Sequence, residues 1–304
     1  MLPGKGSDPL IQIKESKEYG ASKFIISVAR QLGLDRIIHS RKVQWREDLL
    51  AMIVERLLHP DELSFANSYA DTLLWEFCGH PLNKKPDIDK HCYYPLEKLL
   101  SKQDSIQEKL VDKHWEKGCA VLYDLTSGDL RFGPEKLHIG LLCNLEGCPL
   151  GVEFFEGVTE EVIQPQIEAL VDRFKFKSIT LVGNWQMLSK DFSPKVNAKE
   201  VRQKWFQVED EFENVLFAQS GNRGRASVLL HMLSYYLKWH ISEKLKSIFN
   251  NQKKGRQWTF RTVIERLKSI RSQTIQIDHT VLHSIKSTLD AEQHQILSAF
   301  DINL

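Results

Sequence analysis

The sequence predicts an α/β protein in which a short run of strands lies between two helical regions. Three observations support this class. Apolar residues recur at helical spacing through about the first hundred residues. After Cys119 the pattern changes to short segments rich in β-branched and aromatic residues, separated by turn signals. Helical patterns return from about Glu200 and continue to the end of the sequence.

The N-terminal helices follow from their apolar spacing and their stop signals. Gly33 is a suitable end for the first helix, and Pro60 ends the second because proline cannot continue a helix. Asp61 or Ser64 is expected to cap a third helix that runs to about Phe77. The first and second helices cover residues 22–32 and 46–58, and two further helices are expected over 93–102 and 105–117.

The central segment is expected to begin as a β-meander. Its three strands cover residues 119–127, 137–144 and 149–157. A helix over 159–174 and an apolar strand over 178–184 follow, and this last strand is expected to pair parallel with the first. Beyond them, the sequence predicts a polar linker at 190–199 and helices that include 226–245 and 280–300.

Composition excludes several classes of protein. Hydrophobic residues make up 42% and charged residues 27% of the 304 residues, which is the balance of a folded globular protein. No apolar run approaches the roughly 18 residues of a membrane span, and the N-terminal sequence does not resemble a signal peptide. Five scattered cysteines indicate a reducing compartment, so we expect a cytoplasmic protein with no membrane partner. The net charge of +1 means that any nucleic-acid contact depends on a local basic patch.

Asp124 is the residue that most needs a functional explanation. It lies in the middle of the otherwise apolar segment AVLYDLTS. A buried, unpaired carboxylate costs several kcal/mol, so Asp124 must be paired, hydrogen-bonded or bound to a cation. The simpler alternative is an exposed strand-end aspartate that accepts local hydrogen bonds, for example from Thr126. Glu153 and Glu156 are weaker candidates for metal ligands, because outward positions of a meander are normally solvated.

Several ordered segments of the chain carry a resemblance to a known family. YDLTS, GLLCNLEGCPLGVEFFEG and VGNWQMLS, with ERLLHP before them and LDAEQHQILSAFDI near the end, resemble the DDE transposases of bacterial insertion sequences. The similarity is to the branch whose first catalytic aspartate lies in a Tyr-Asp-x-Thr-Ser strand. These segments span nearly the whole chain.

The resemblance implies a fold, cofactors and partners. Residues 119–215 would form a ribonuclease-H-like core, preceded by a helical, DNA-binding region (1–118) and followed by a helical region with a basic patch (216–304). Carboxylates on adjacent strands and on a later helix would hold Mg²⁺ or Mn²⁺ for cleavage and transfer of DNA strands. The implied partners are double-stranded DNA and further copies of the chain, in the cytoplasm and associated with the nucleoid.

The resemblance also assigns catalytic positions. The first aspartate is Asp124, and the second position falls on Asn184, where the family has an aspartate. The third would be Glu209, with Asp210 and Glu211 as neighbouring alternatives. Asp124 and Glu209 are thus the implied metal ligands.

The chain also departs from the family pattern in length. It lacks the family's longer connection after the first strand and its insertion domain after residue 189. The sequence therefore leaves three alternatives open: a transposase with a weakened site, an inactive remnant that binds DNA or oligomerises, and an internally deleted relic with no present activity.

A basic stretch near the C-terminal end is the candidate DNA contact. Residues 251–271 contain seven cations and one acidic residue, with Trp258 and Phe260 among them. Such a stretch can bind phosphates and stack on bases, although a solvated helix face is the simpler alternative. The residues assigned to DNA are Lys253, Lys254, Arg256 and Arg261.

Two other groups of residues have metal-ligating chemistry without a recognisable pattern. The spacing of Cys78, His80, His91 and Cys92 matches no zinc motif. Cys143 and Cys148 are expected to be reduced core thiols. The last group is expected to pack against the core, and it consists of His231, Tyr235, Tyr236, Trp239 and His240.

Overall fold

The computed structural model shows an α/β protein with two β-sheets and a helical core. It describes residues 11–60, 68–81, 84–115, 120–132, 135–155, 160–176, 178–183, 196–200, 221–249, 258–277 and 280–304. Within these ranges no helix combines the length and the apolar character needed to cross a membrane.

The described helices and strands are numbered in chain order. The helices are α1 (Gly20–Gln31), α2 (Leu34–Ile38), α3 (Gln44–Leu58), α4 (Leu74–Phe77), α5 (Tyr94–Leu100), α6 (Gln103–His114), α7 (Glu160–Phe174), α8 (Gly221–Phe249), α9 (Phe260–Lys268) and α10 (Ala291–Ala299). The strands are β1 (Ile11–Glu18), β2 (Ala120–Phe132), β3 (Glu135–Cys143), β4 (Pro149–Phe155), β5 (Ser178–Gly183), β6 (Val196–Glu200), β7 (Arg271–Ile277) and β8 (Thr280–Lys286). A single turn of 3₁₀ helix (Ser68–Ala70) precedes α4, and a short π-helix (Asp89–Tyr93) leads into α5.

The larger sheet has five strands in the order β4-β3-β2-β5-β6. Strands β2, β3 and β4 form an antiparallel meander, whereas β5 and β6 run parallel to β2. Helix α7 connects the meander to β5 and packs against β5. The predicted meander, the helix after it and the parallel pairing of the next strand with the first are confirmed. The prediction of a linker over 190–199 is wrong for its last four residues, because 196–199 belong to strand β6.

The smaller sheet joins the two ends of the described chain. Strand β1 pairs antiparallel with β7, and β7 pairs antiparallel with β8. The expectation that the flanking regions are entirely helical is therefore wrong. The predicted helix over 280–300 begins as strand β8, and only Ala291–Ala299 is helical. The β-branched residues Thr280, Val281 and Ile285 favour a strand once β7 offers a partner.

Helix α8 lies at the centre of the helical core. Its first half is buried on almost every side, including Leu229, Leu230 and Leu233. It packs against α3, α5 and β4. At one end Arg225 lies over the ring of Phe154, and fifteen residues later the His240 ring nitrogen Nε2 lies 3.8 Å from Cys148 Sγ. Strand β4 therefore lies antiparallel along α8 and is held against it at both ends.

Helix α1 approaches the start of β7 closely at Gly20. A Cβ atom at this position would lie 2.4 Å from the Leu267 carbonyl oxygen and 2.6 Å from Ile270 Cβ. The Gly20 N–H also donates a hydrogen bond to the Ile270 carbonyl oxygen at 3.0 Å. Glycine is thus required where the N-terminal helix meets the C-terminal sheet.

Candidate functional site

Asp124 lies on β2, the middle strand of the larger sheet. Its register partners are Leu141 on β3 and Val182 on β5. Strands β2 and β5 are parallel, and β5 ends one residue beyond Val182, at Gly183. Asn184 is the next residue in the sequence. The sheet therefore places Asp124 beside the carboxyl end of the strand that leads directly into the second predicted catalytic position.

Most of the other predicted site residues cannot be located. Asn184, Glu209 and its alternatives Asp210 and Glu211 lie outside the described residues, as do Lys253, Lys254 and Arg256. For Asp124 the structure describes the backbone alone. The structure therefore neither gathers nor separates the three predicted catalytic residues.

Four cations of the basic stretch lie among the described residues. One has a highly exposed side chain, and the other three are bonded to residues outside the stretch. The Arg261 side chain is 88% exposed and is paired only with Glu265 on the next turn, at 3.0 Å. Arg266 is paired with Asp290 and Glu292, Lys268 donates to the Leu58 carbonyl oxygen, and Arg271 donates to Ser16. Exposed pairs such as Arg261–Glu265 are worth well under about 1 kcal/mol, so the Arg261 charge remains available to a phosphate.

One group of ligating side chains surrounds the buried carboxylate of Asp48. Oδ1 of Asp48 lies 2.6 Å from His80 Nε2, and Oδ2 lies 3.0 Å from His91 Nδ1. The Gln44 amide donates to Oδ1 at 2.8 Å. The sequence groups His80 and His91 with two cysteines, whereas Asp48 lies more than thirty positions earlier, on α3, and gives no sign of belonging to them. Both oxygens of Asp48 already have partners, so this group holds α3 to the segment before α5.

A second group brings together His114, Cys148 and His240, whose ligating atoms all lie within 4.8 Å of one another. The three residues come from the end of α6, the turn between β3 and β4, and α8. Tyr236 joins them, because its hydroxyl lies 2.7 Å from His114 Nε2. The sequence analysis expected Tyr236 and His240 to pack against the core and did not consider His114. Residues so far apart in the chain give no local sequence signal.

Burial sets the protonation of this second group. It lowers the pKa of His114 to about 4, helped by the charge of Lys113. It likewise lowers the pKa of His240 to about 4, with smaller contributions from His114 and Lys113. Burial also raises the pKa of the Cys148 thiol. Near neutral pH the two imidazoles are therefore uncharged, and each has a ring nitrogen able to accept a proton or bind a metal ion.

Comparison of the chain with protein-family models, with curated proteins and with solved structures finds no match for it.

Glu153 on β4 differs from the solvated residue that the meander pattern predicted, because its side chain is only partly exposed. Burial raises its pKa to about 7, with Arg173 lowering it and Asp104 raising it. Arg173 also bonds Asp104 and Glu108, at 2.8 and 3.0 Å, so its charge is shared. The carboxyl of Glu153 therefore carries a proton over much of the range below neutral pH.

This raised pKa predicts a pH-dependent effect of Glu153→Gln. The folded state holds the proton more tightly than the unfolded state does, so the stabilising contribution is complete below about pH 4.5 and is lost as pH rises through 7. We expect Glu153→Gln to match the natural chain in stability at pH 4 and to exceed it by about 3 kcal/mol at pH 8. Urea denaturation at both pH values measures this difference. Glu97→Gln, at an exposed position on α5, is the control. An equal effect of Glu153→Gln at the two pH values would contradict the assignment.

Proposed function

We propose that this chain is a transposase-family protein whose larger sheet is a ribonuclease-H-like core with a divalent-cation site at Asp124. Its substrate would be double-stranded DNA. The observation that carries the proposal is the register of β2 and β5, in which Asp124 pairs with Val182 next to the end of β5.

The strand arrangement supports this proposal. The family resemblance implies a three-strand meander, a helix and a further strand, with carboxylates on adjacent strands. The larger sheet has this order, and β2 and β5 are adjacent. In the register of these parallel strands Asp124 pairs with Val182, two residues before Asn184. A ligand from Asp124 and one from the residue after β5 would therefore come from the same part of the sheet.

The oxygen atoms of these side chains suit a hard divalent cation, which the site would bind with reduced affinity. Asp124 and Glu209 would supply carboxylates, and Asn184 would supply a neutral amide oxygen in place of a third carboxylate. Mg²⁺ and Mn²⁺ prefer oxygen ligands, and affinity falls as the charge of the ligand set falls. When bound, the ions would activate a water or a DNA 3′-hydroxyl and stabilise the leaving oxygen.

The protein's own residues would position the DNA. Arg261 presents an exposed guanidinium at the start of α9, and Lys253, Lys254 and Arg256 precede it closely in the sequence. Contacts of this kind bind phosphates without reading the base sequence.

Nicking of supercoiled plasmid that carries the DNA flanking this gene tests the proposal. With Mn²⁺ present, we expect weak nicking by the natural chain and at least about tenfold faster nicking by Asn184→Asp, because the variant restores a charged ligand. Asp124→Ala should abolish nicking in both backgrounds.

The control for this experiment is Asp172→Asn, which removes an exposed carboxylate on α7 and should leave the nicking rate unchanged. Undiminished nicking by Asp124→Ala, or no nicking by Asn184→Asp, would contradict the proposed site.

The exposed Arg261 favours a second candidate function, DNA binding without cleavage. This function requires the basic stretch and not the cation site. We expect the triple variant Lys253→Glu, Lys254→Glu, Arg256→Glu to lower DNA affinity by more than about tenfold and to flatten its dependence on salt. Fluorescence anisotropy with a labelled duplex at several salt concentrations measures both quantities.

The matched control reverses two cations elsewhere on the surface. Lys175 and Lys286 are both exposed and lie outside residues 1–118 and 251–271, so the variant Lys175→Glu, Lys286→Glu changes the net charge with little effect expected on the fold. An equal loss of DNA affinity in the control would show a general charge effect and would contradict a DNA site in the basic stretch.

A further inference from the structure

Two groups of ligating side chains lie apart from Asp124, and they differ in how fully they are already bonded. In the group around Asp48, both carboxylate oxygens and His80 Nε2 are engaged in short hydrogen bonds. A metal ion there would have to break this buried network. In the group of His114, Cys148 and His240, the described polar contacts of the ligating atoms are fewer. His114 Nε2 lies 2.7 Å from the Tyr236 hydroxyl, and Cys148 Sγ lies 3.8 Å from His240 Nε2 and 3.9 Å from the Pro149 carbonyl oxygen.

The distances in the second group are close to those of a metal centre. A tetrahedral zinc ion lies about 2.3 Å from sulfur and about 2.0 Å from nitrogen, which places those two ligand atoms about 3.6 Å apart. The separation of Cys148 Sγ and His240 Nε2 is 3.8 Å, and the ligating atom of His114 lies within 4.8 Å of both. Closure around an ion therefore requires side-chain movements of about 1 Å or less.

The surroundings hold two of the ligands in place. The Asn144 side chain accepts a hydrogen bond from the Cys148 backbone N–H at 2.8 Å and donates one to the His114 carbonyl oxygen at 3.4 Å. Gly147, with φ of 90°, allows the tight turn that returns the chain to Cys148. The His114 and His240 rings lie 4.9 Å apart. Outer partners of this kind orient metal ligands and raise affinity.

The group lies close to the surface, because His114 and His240 are only partly buried, whereas Cys148 is buried. Gly147 and Trp239, the sequence neighbours of Cys148 and His240, line a surface hollow with a volume of about 210 Å³. Glu146 lies on the same hollow and places a negative charge there.

We propose that His114, Cys148 and His240 form a site for a borderline transition-metal ion, with Zn²⁺ as the best match. Two imidazoles and one thiol, which would release its proton to solvent on binding the ion, favour Zn²⁺ or Co²⁺ over Mg²⁺, which prefers oxygen ligands. The site is separate from the proposed cation site at Asp124, and it does not depend on the proposed function. Because its ligands come from α6, the β3–β4 turn and α8, a bound ion would fasten the larger sheet to the helical core.

Co²⁺ titration of the chelator-treated full chain tests this site, because a Co²⁺–thiolate bond gives a near-ultraviolet charge-transfer band. We expect one Co²⁺ per chain with this band, and displacement of Co²⁺ by Zn²⁺. Cys148→Ser should abolish the band. His114→Ala and His240→Ala should each weaken binding by at least about 100-fold, since loss of an outer partner alone costs 10–100-fold. Asn144→Ala, which keeps all three ligands, should weaken it by about tenfold.

Three controls keep the result interpretable. His294→Ala removes an exposed histidine on α10, and Cys143→Ser removes the other thiol of the same hairpin. Both should retain the band. Asp48→Asn should retain it as well, which separates this site from the group around Asp48. If Cys148→Ser fails to fold, protection of Cys148 from alkylation by Zn²⁺ in the natural chain, mapped by mass spectrometry, replaces it. No Co²⁺ binding, a band that survives in Cys148→Ser, or alkylation of Cys148 unaffected by Zn²⁺ would overturn the proposal.

Discussion

The burial of helix α8 is the constraint on which the rest of the structure depends. A helix whose first half is buried on nearly all sides cannot be stable alone in water, because it has no polar face to present. Helices α3 and α5 and strand β4 cover it. Since β4 is an edge strand of the larger sheet, its contact with α8 also sets where that sheet lies against the N-terminal helices. The position of Asp124 in space follows from this contact through β3 and β2.

Helix α3 packs against the same core, and several of its charged residues are buried. Glu47 accepts hydrogen bonds from both Arg46 and Arg30, at 2.6 and 3.0 Å. Glu55 accepts one from the Trp75 indole N–H at 3.1 Å. A buried charge is tolerated only when it is paired or hydrogen-bonded, so these contacts fix α3 in a single orientation. Asp48, another buried charge of α3, is satisfied in the same way by its bonds to His80 and His91.

Local patterns predicted the elements whose neighbours are close in sequence. The helical spacing of apolar residues located α1 and α3, and the change of period after Cys119 located the meander and the parallel strand. The N-terminal strand β1 was missed because its stability comes from β7, some 260 residues later. Strand β8 was mistaken for a helix although its partner β7 lies next to it in the chain, because Val281, Leu282 and Ile285 also fit helical spacing. Likewise His114, Cys148 and His240 meet only through the packing of α6, α8 and the hairpin, which no short stretch of sequence records.

We propose that Asp124 and the position after β5 share one divalent-cation site, in which Asn184 reduces the affinity. Binding of Mn²⁺ to the full chain, measured by electron paramagnetic resonance, reports on this site without a DNA substrate. We expect Asn184→Asp to bind Mn²⁺ at least about tenfold more tightly than the natural chain, and the addition of Asp124→Ala to remove this gain. Equal Mn²⁺ affinity in the natural chain, in Asn184→Asp and in the double variant would rule out a shared site.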